Sequence, residues 1–377
     1  MSAPLTIKYV IPPIPVEVVS KSKDEKLMQD FIVTEEEDIV SPSLPYMDSS
    51  IIDLQRLLDS DEDELKKLEL YLTTWGAFQL VNHGIESSKL DQVLQVIKDF
   101  FSLPLEEKEK YGRSKGGLKG WNYDSIQGWG TDKMAENHAF NWTDRIILTV
   151  IPPHLRNPNF WPDEDVPLFS KVILDYAEDV AKLRDIVLRA VSKILKLPEN
   201  NLITKYAAEG IAVARINWYP PSPYPDRIIG ARTHSDSNIV TILLPDQDVE
   251  ALQMEKDEQW FKVPIIPHAL IVNASDMLEM MSNGKVKSSV HRVVTNTENE
   301  RVSIAFACGP QRNSVIEPLE ELISEEEPRR YPTLLNSSNY TADFFARGKI
   351  LVKEIRKHGP SVVQKEEPSN DTMKSSC

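Results

Sequence analysis

The chain has 377 residues, 41% of them hydrophobic and 27% charged, with a formal net charge of −15. This is a soluble globular composition, long enough for one large core or two domains. The acidity and the lack of a dense Lys/Arg run argue against a nucleic-acid surface, and no apolar stretch approaches the ~20 residues of a membrane span.

Residues 1–43 begin MSAPLTIKYVIPPIPVEVV, apolar in places but interrupted by four prolines, and continue into the acidic TEEEDIV. They lack the basic start and unbroken apolar centre of a signal peptide and read as a flexible N-terminal arm. Residues 44–205 carry mainly helical signals. DELKKLELYLTTW is amphipathic. SSKLDQVLQVIKDFF places Leu90, Val93, Leu94, Ile97 and Phe101 at helical spacing, with Ser88 and Asp91 as a capping-box-like start. VPLFSKVILDYAEDVAKLRDIVLRAVSKIL is the longest periodic segment and ends at Leu197-Pro198. Between these helices, KGGLKGWNYDSIQGWG is rich in glycine and aromatics and reads as loop.

The period changes after about Ile211. VARINWY, NIVTILL, QWFKVP, ALIVNAS, VHRVVTN and RVSIAFA are short runs separated by turn residues, the pattern of a sandwich or barrel over residues 206–335. A helix is expected over 336–360 and a disordered tail over 361–377. The fold class is therefore α+β, a helical N-terminal part on a β core. The two cysteines, Cys308 and Cys377, make no disulfide framework and fit a reducing, cytoplasmic setting. With no heptad seam, the chain reads as a monomer.

Strand residues two apart share a face. His234 and Asp236 in THSDSNIVTILL therefore converge, as do Asn217 with Tyr219 in RINWYPPSP and Arg301 with Ser303 in ERVSIAF. His291 sits on a further strand, SSVHRVV. Polar groups on an inner strand face are unfavourable unless something satisfies them. Two imidazoles and a carboxylate form the facial triad of non-haem Fe(II) oxygenases, with coordination positions left open. Arg301 offers a planar fork and Ser303 a hydroxyl, the pair that a dicarboxylate cosubstrate needs. Tyr219 and Asn217 add hydrogen bonds.

The stretches WGAFQLVNHGI, FFSLPLEEKEKY, NWYPPSPYPDRIIG, THSDSNIVTILL, ALQMEKDEQWFKVP, ALIVNASDMLEMMSNGKVKSSVHRVV and NERVSIAF are now recognisable. Over roughly residues 44–350 the chain resembles the plant 2-oxoglutarate/Fe(II)-dependent dioxygenases. It looks nearest to the branch of SRG1-like proteins, codeine and thebaine demethylases and flavonoid oxygenases. The resemblance implies a double-stranded β-helix (jelly-roll) core with surrounding helices. It implies Fe(II) on His234, Asp236 and His291, and 2-oxoglutarate on Arg301, Ser303, Tyr219 and Asn217. It also implies O2 as cosubstrate, ascorbate as reductant and succinate and CO2 as products, with a small plant metabolite such as a flavonoid, another phenolic or an alkaloid hydroxylated or O-demethylated. A relative of aminocyclopropane-carboxylate oxidase, which does not consume 2-oxoglutarate, and a binding protein that has lost turnover are the rival readings.

Trp121, Tyr123 and Trp129 in the aromatic loop, and Phe306 shortly after Ser303, are the candidate substrate contacts. Trp75 and Phe78 read as core, and His83 and His268 as turn residues. Asp144 and Arg145 read as a possible pair at a surface or element boundary. Asn238, Ala251, His268 and Ser275 stand where the family often has glycine, so each marks a possible change of turn.

Overall fold

The structure, a computed structural model, describes residues 9–10, 14–22, 24–33, 39–41, 43–48, 50–113, 127–131, 134–135, 138–311, 314–335 and 349–358. The principal strands are β1 (Ile51–Asp53), β2 (Ala77–Val81), β3 (Gly128–Gly130), β4 (Asp144–Ile151), β5 (Ile211–Tyr219) and β6 (Ile229–His234). They continue as β7 (Val240–Pro245), β8 (Leu252–Lys256), β9 (Gln259–Lys262), β10 (Leu270–Ala274), β11 (Val290–Val294) and β12 (Arg301–Gly309). An eight-stranded sheet runs β1-β2-β10-β7-β12-β5-β4-β3, and a four-stranded sheet runs β9-β8-β11-β6. Every pairing within these two sheets is antiparallel except β1 with β2.

Strand alternation divides the large sheet into two faces. Ala212, Ala214, Ile216 and Trp218 of β5, with Val302, Ile304 and Phe306 of β12, join the main core beneath the helices. The principal helices there are α1 (Ser87–Ser102) and α2 (Phe169–Ile194). In α2 the buried residues Val172, Ile173, Tyr176, Ala177, Val180, Leu183, Val187, Leu188 and Val191 form one stripe. Each fully buried Leu or Phe in that interface contributes about 2 kcal/mol. The opposite face meets the small sheet across a second, thinner core that includes Leu243, Ile271, Ala231, Met254 and Val293. The two sheets thus form the jelly roll, and the lumen between them holds the polar residues.

Several local expectations are corrected. The 44–205 region supplies β1 to β4, half of the large sheet, so residue 205 does not divide helix from strand. Those strands are short apolar runs, which periodicity alone does not distinguish from helix. The segment read as a flexible arm is docked where it is described. Val16, Val19, Met28 and Phe31 pack on Phe140, Trp142 and Ile228. Asp144 accepts hydrogen bonds from the Val16 and Glu17 amides at 3.1 and 2.9 Å, and Lys108 pairs with Glu17 at 2.5 Å. Asp144 and Arg145, adjacent on β4, consequently point to opposite faces and do not pair with one another. No side-chain cap opens α1, which starts after Glu86; Asp91 lies 2.9 Å from His268 Nε2 instead.

The C-terminal helix is present as α3 (Leu351–His358). It covers the outer face of the small sheet through Ile350 and Val352 on Val290 and Trp260. Residues 336–348 and the expected tail from Ser361 lie outside the described residues. No described helix is long and apolar enough to cross a membrane.

Candidate metal centre

The small sheet brings two imidazoles together. His234 ends β6, and His291 lies near the start of β11; the register pairs them directly. Their ring centroids lie 4.3 Å apart. Register shifts after His291 reset the alternation between the two strands. Asp236 follows in the loop beyond β6. Its carbonyl accepts the Asp276 amide at 2.9 Å, and the Asn238 carbonyl accepts the Met277 amide at 3.1 Å. The first residues of the short helix Asp276–Met281 thereby hold the loop.

One ligand atom from each of His234, Asp236 and His291 lies within 4.8 Å of the others. His234 Nδ1 is 2.7 Å from the Arg232 carbonyl, and His291 Nδ1 is 3.3 Å from the Ser289 carbonyl. With each Nδ1–H donated to backbone, each Nε2 lone pair is left for a ligand, the usual outer support of a metal-binding histidine. Burial, and then repulsion from His291, pushes His234 down to about 3, so this ring is neutral. Burial alone would raise Asp236, but His291, His234, the Thr241 hydroxyl and Arg215 together hold its carboxyl below the usual range. Its Oδ2 is buried without a hydrogen-bond partner. A buried anionic oxygen beside imidazole lone pairs fits a divalent cation.

The large sheet faces this triad with a second constellation. On the lumen side, β5 and β12 place Arg301 opposite Tyr219 and Ser303 opposite Asn217. Asn217 Nδ2 donates to Ser303 Oγ at 3.4 Å. Arg301 is 3% exposed, yet its Nε and Nη1 have no hydrogen-bond partner. Its guanidinium carbon lies 5.3 Å from the Tyr219 ring centroid. Burial lowers the Arg301 pKa, while Tyr219 and Asp246 oppose that shift. An orphaned planar fork in a dry site suits a carboxylate. Gly230 permits the arrangement: a Cβ there would lie 2.8 Å from Tyr219 Cδ1 and 3.1 Å from the Val293 carbonyl.

The expected substrate contacts fare differently. Phe306 belongs to the outer face of β12, fully buried against Tyr176 with ring centroids 5.4 Å apart. Its even position places it opposite to Arg301 and Ser303. Trp129 pairs with Ile146 on β4 and joins the same helix-side core. Trp121 and Tyr123 lie outside the described residues. Overlooked in the sequence were Arg215, Ala305 and Ala307, which share the parity of the polar pairs and reach the lumen. Counting two residues back from Asn217 and onward from Ser303 finds them.

His83 Nε2 lies 2.9 Å from the His268 carbonyl, and its Nδ1 accepts the Ile85 amide at 3.2 Å, a turn arrangement. Of the four residues standing in place of glycine, only His268 has a left-handed backbone, at φ 57. Ser275 is extended, Asn238 bonds Thr241 and Ala251 is buried core. None of these four residues is one of the lumen groups.

A model of the 2OG-Fe(II) oxygenase superfamily matches residues 198–310, and one described as the non-haem dioxygenase in morphine synthesis N-terminal region matches residues 50–164. Codeine O-demethylase of Papaver somniferum is 37% identical over 282 residues, covering 74% of this chain and 76% of that protein. Protein SRG1 of Arabidopsis thaliana is 36% identical over 312 residues, covering 81% and 85% respectively. A crystal structure of JOX2 in complex with 2OG, Fe and JA aligns with a TM-score of 0.77 at 31% identity, covering 95% of this chain and 99% of that one.

Proposed function

This chain belongs to the 2OG-Fe(II) oxygenase superfamily, and we propose that it hydroxylates or O-demethylates a small plant metabolite. As a member it is a dioxygenase that uses Fe(II) and 2-oxoglutarate. We assign the metal to His234, Asp236 and His291. We assign the cosubstrate carboxylate remote from the metal to Arg301 and Ser303, with Tyr219 and Asn217 fixing their orientation. The observation that carries this reading is the pair of orphaned buried groups facing the lumen, Asp236 Oδ2 and the Arg301 fork. A cation and a carboxylate would satisfy them both.

When bound, the metal and 2-oxoglutarate supply dioxygen activation, with succinate and CO2 as products and ascorbate maintaining the reduced state. The protein's own residues position and shield. Cross-strand pairing holds His234 against His291, and the Arg232 and Ser289 carbonyls orient the rings. Leu243, Met254, Ile271 and Val293 keep water from the floor between the sheets. Holding the substrate so that one C–H bond faces the triad sets the outcome. At an O-methyl carbon, hydroxylation gives a hemiacetal, which collapses to the free hydroxyl and formaldehyde.

The substrate class we propose is a flavonoid, another phenolic or an alkaloid. Support comes from the O-demethylase among the relatives. A cytoplasmic monomer completes the reading, supported by the buried unpaired Cys308 and the net charge of −15. The test is anaerobic addition of Fe(II) and 2-oxoglutarate while recording the metal-to-ligand charge-transfer band. A band is expected, followed on aeration by succinate release that a methoxylated flavone or alkaloid stimulates, with formaldehyde as co-product. A folded protein that shows no band contradicts the reading.

A further inference from the structure

We propose that Asp276 is a positioning residue for the metal centre, its buried carboxyl and its own amide together fixing the spacing of the two segments that carry His234, Asp236 and His291; this rests on the Fe(II)/2-oxoglutarate reading above. The ligands come from two stretches of chain. His234 ends β6, Asp236 lies in the loop beyond it, and Ser235 stands between them. His291 lies on β11, three residues after Ser288. The ladder ties His234 to His291, but that rung is the last one, and Asp236 lies past it. Its place must be set by something other than strand pairing.

Asp276 supplies that support with its backbone and its side chain. Its amide donates to the Asp236 carbonyl at 2.9 Å. Its Oδ1 accepts the Ser288 hydroxyl at 2.7 Å, and the Ser235 side chain hydrogen-bonds the same carboxyl. One residue therefore grips both ligand-bearing segments. Asp276 is 3% exposed, so these bonds are made away from water, where hydrogen bonds to a carboxylate are strong. The far segment is pinned further along. The Ser288 amide donates to Glu279 on the same short helix, and the Ser289 amide donates to the Ala274 carbonyl at 3.1 Å. The Ser289 carbonyl in turn orients the His291 ring.

A carboxylate at the start of a helix ordinarily turns back to that helix's free amides. Here the first turn is directed outward instead. Ser275 at the N-cap makes no side-chain cap. The Asp276 and Met277 amides go to the Asp236 and Asn238 carbonyls, and the Asp276 carboxyl goes to the two serines. A carboxylate suits this bridge because it has two accepting oxygens and no proton to place, so it can take both hydroxyls at once. Without it, two hydroxyls lose their acceptor and the two segments lose their tie. The Asp236 carboxylate is then free to drift from the point it shares with the imidazoles.

The experiment uses the whole protein and reads iron binding rather than turnover. Fe(II) affinity is measured anaerobically by equilibrium dialysis, the charge-transfer band is recorded with 2-oxoglutarate, and urea unfolding of the metal-free protein gives stability. Asp276→Leu should weaken Fe(II) binding by about ten- to a hundredfold, the usual effect of losing an outer support of a metal ligand, and should displace the band. Asp276→Asn, which keeps one accepting oxygen, should fall between it and wild type. Ser288→Ala should weaken Fe(II) binding by itself but add little to Asp276→Leu, because the tie is already gone. Phe306→Leu, which loosens the helix-side core, is the stability control and should lower the urea midpoint while leaving Fe(II) affinity and the band unaltered. Wild-type Fe(II) affinity and an unmoved band in folded Asp276→Leu protein overturn the proposal. A loss of Fe(II) affinity that Phe306→Leu matches shows general loosening and overturns it too. Should Asp276→Leu fail to fold, Asp276→Asn and Ser288→Ala decide, and wild-type iron binding in both overturns it. Absence of any band in the wild-type protein sinks the iron reading and this proposal together, whereas a wild-type band with variants that bind iron equally well sinks the proposal alone.

Discussion

His234 and His291 are direct cross-strand partners, with ring centroids 4.3 Å apart on the face of the small sheet that looks across to Arg301 and Ser303. Neither strand's loop ends set this distance; the β6–β11 ladder does. A metal held this way needs little ordering of its ligands. His291→Ala should therefore leave the fold standing but remove one imidazole from the centre. Iron affinity and turnover should each fall by about a hundredfold or more, a loss of roughly 3 kcal/mol or more. Equilibrium dialysis of iron, with circular dichroism as the fold control, checks this. Unchanged iron affinity would remove His291 from the centre.

Gly230 offers a test of the cosubstrate anchor from the opposite sheet. Gly230→Ala forces Tyr219 away, since the new Cβ would lie 2.8 Å from its ring. Overpacking of this kind destabilises by about 1–3 kcal/mol. The Tyr219–Arg301 rung should loosen with it, so KM for 2-oxoglutarate should rise more than the substrate KM. Equal changes in both would indicate a merely general loosening.

A third expectation concerns the buried carboxylate of Glu279. It accepts from Arg356 Nε at 2.7 Å, from the Tyr331 hydroxyl at 2.6 Å and from the Ser288 amide at 2.5 Å. Glu279 sits on the short helix whose first amides hold the Asp236 loop. Arg356→Ala leaves that carboxylate buried without its cation, which should destabilise by about 3 kcal/mol, the low end for a buried pair because Arg356 is partly exposed. Adding Glu279→Gln should restore much of the loss. Urea unfolding of the single and double variants decides; additive losses would show that the pair is not coupled.

Stability should also carry a pH signature from Asp144. Burial pushes its carboxyl up to about 6, against the Glu17 and Val16 amides and Lys108, which favour the charged form. The folded state then holds a proton that the unfolded chain releases near pH ~3.9. The associated stability is fully present below that value and is lost as pH rises through about 6. A two-unit displacement corresponds to about 3 kcal/mol. Asp144→Asn should thus gain on the wild type as pH rises across this window and then hold level. A difference independent of pH would contradict it.

Parity explains most of what was legible and what was missed. The triad and the Arg301/Ser303 pair stood out because polar residues two apart on strands share a face, and the ladders preserve that relation. Phe306 was misread by ignoring the same rule: three positions after Ser303, it turns to the helices. Phe306→Leu should accordingly destabilise by about 1 kcal/mol, a modest repacking change, with KM for 2-oxoglutarate unaltered, while Ser303→Ala raises that KM. Strands β1 to β4 escaped notice because short apolar runs carry no distinguishing period. Docking of residues 14–22 and 24–33 was invisible because it depends on Trp142 and Asp144, far away in sequence.

The central claim is that one lumen holds iron on the small sheet and 2-oxoglutarate on the large one. Anomalous diffraction at the iron edge, from crystals grown anaerobically with Fe(II) and 2-oxoglutarate, tests this most directly. The account predicts one iron peak bonded to His234, Asp236 and His291, with a 2-oxoglutarate carboxylate on Arg301 and Ser303. Iron bound elsewhere, or a carboxylate that leaves Arg301 unpartnered, would contradict it.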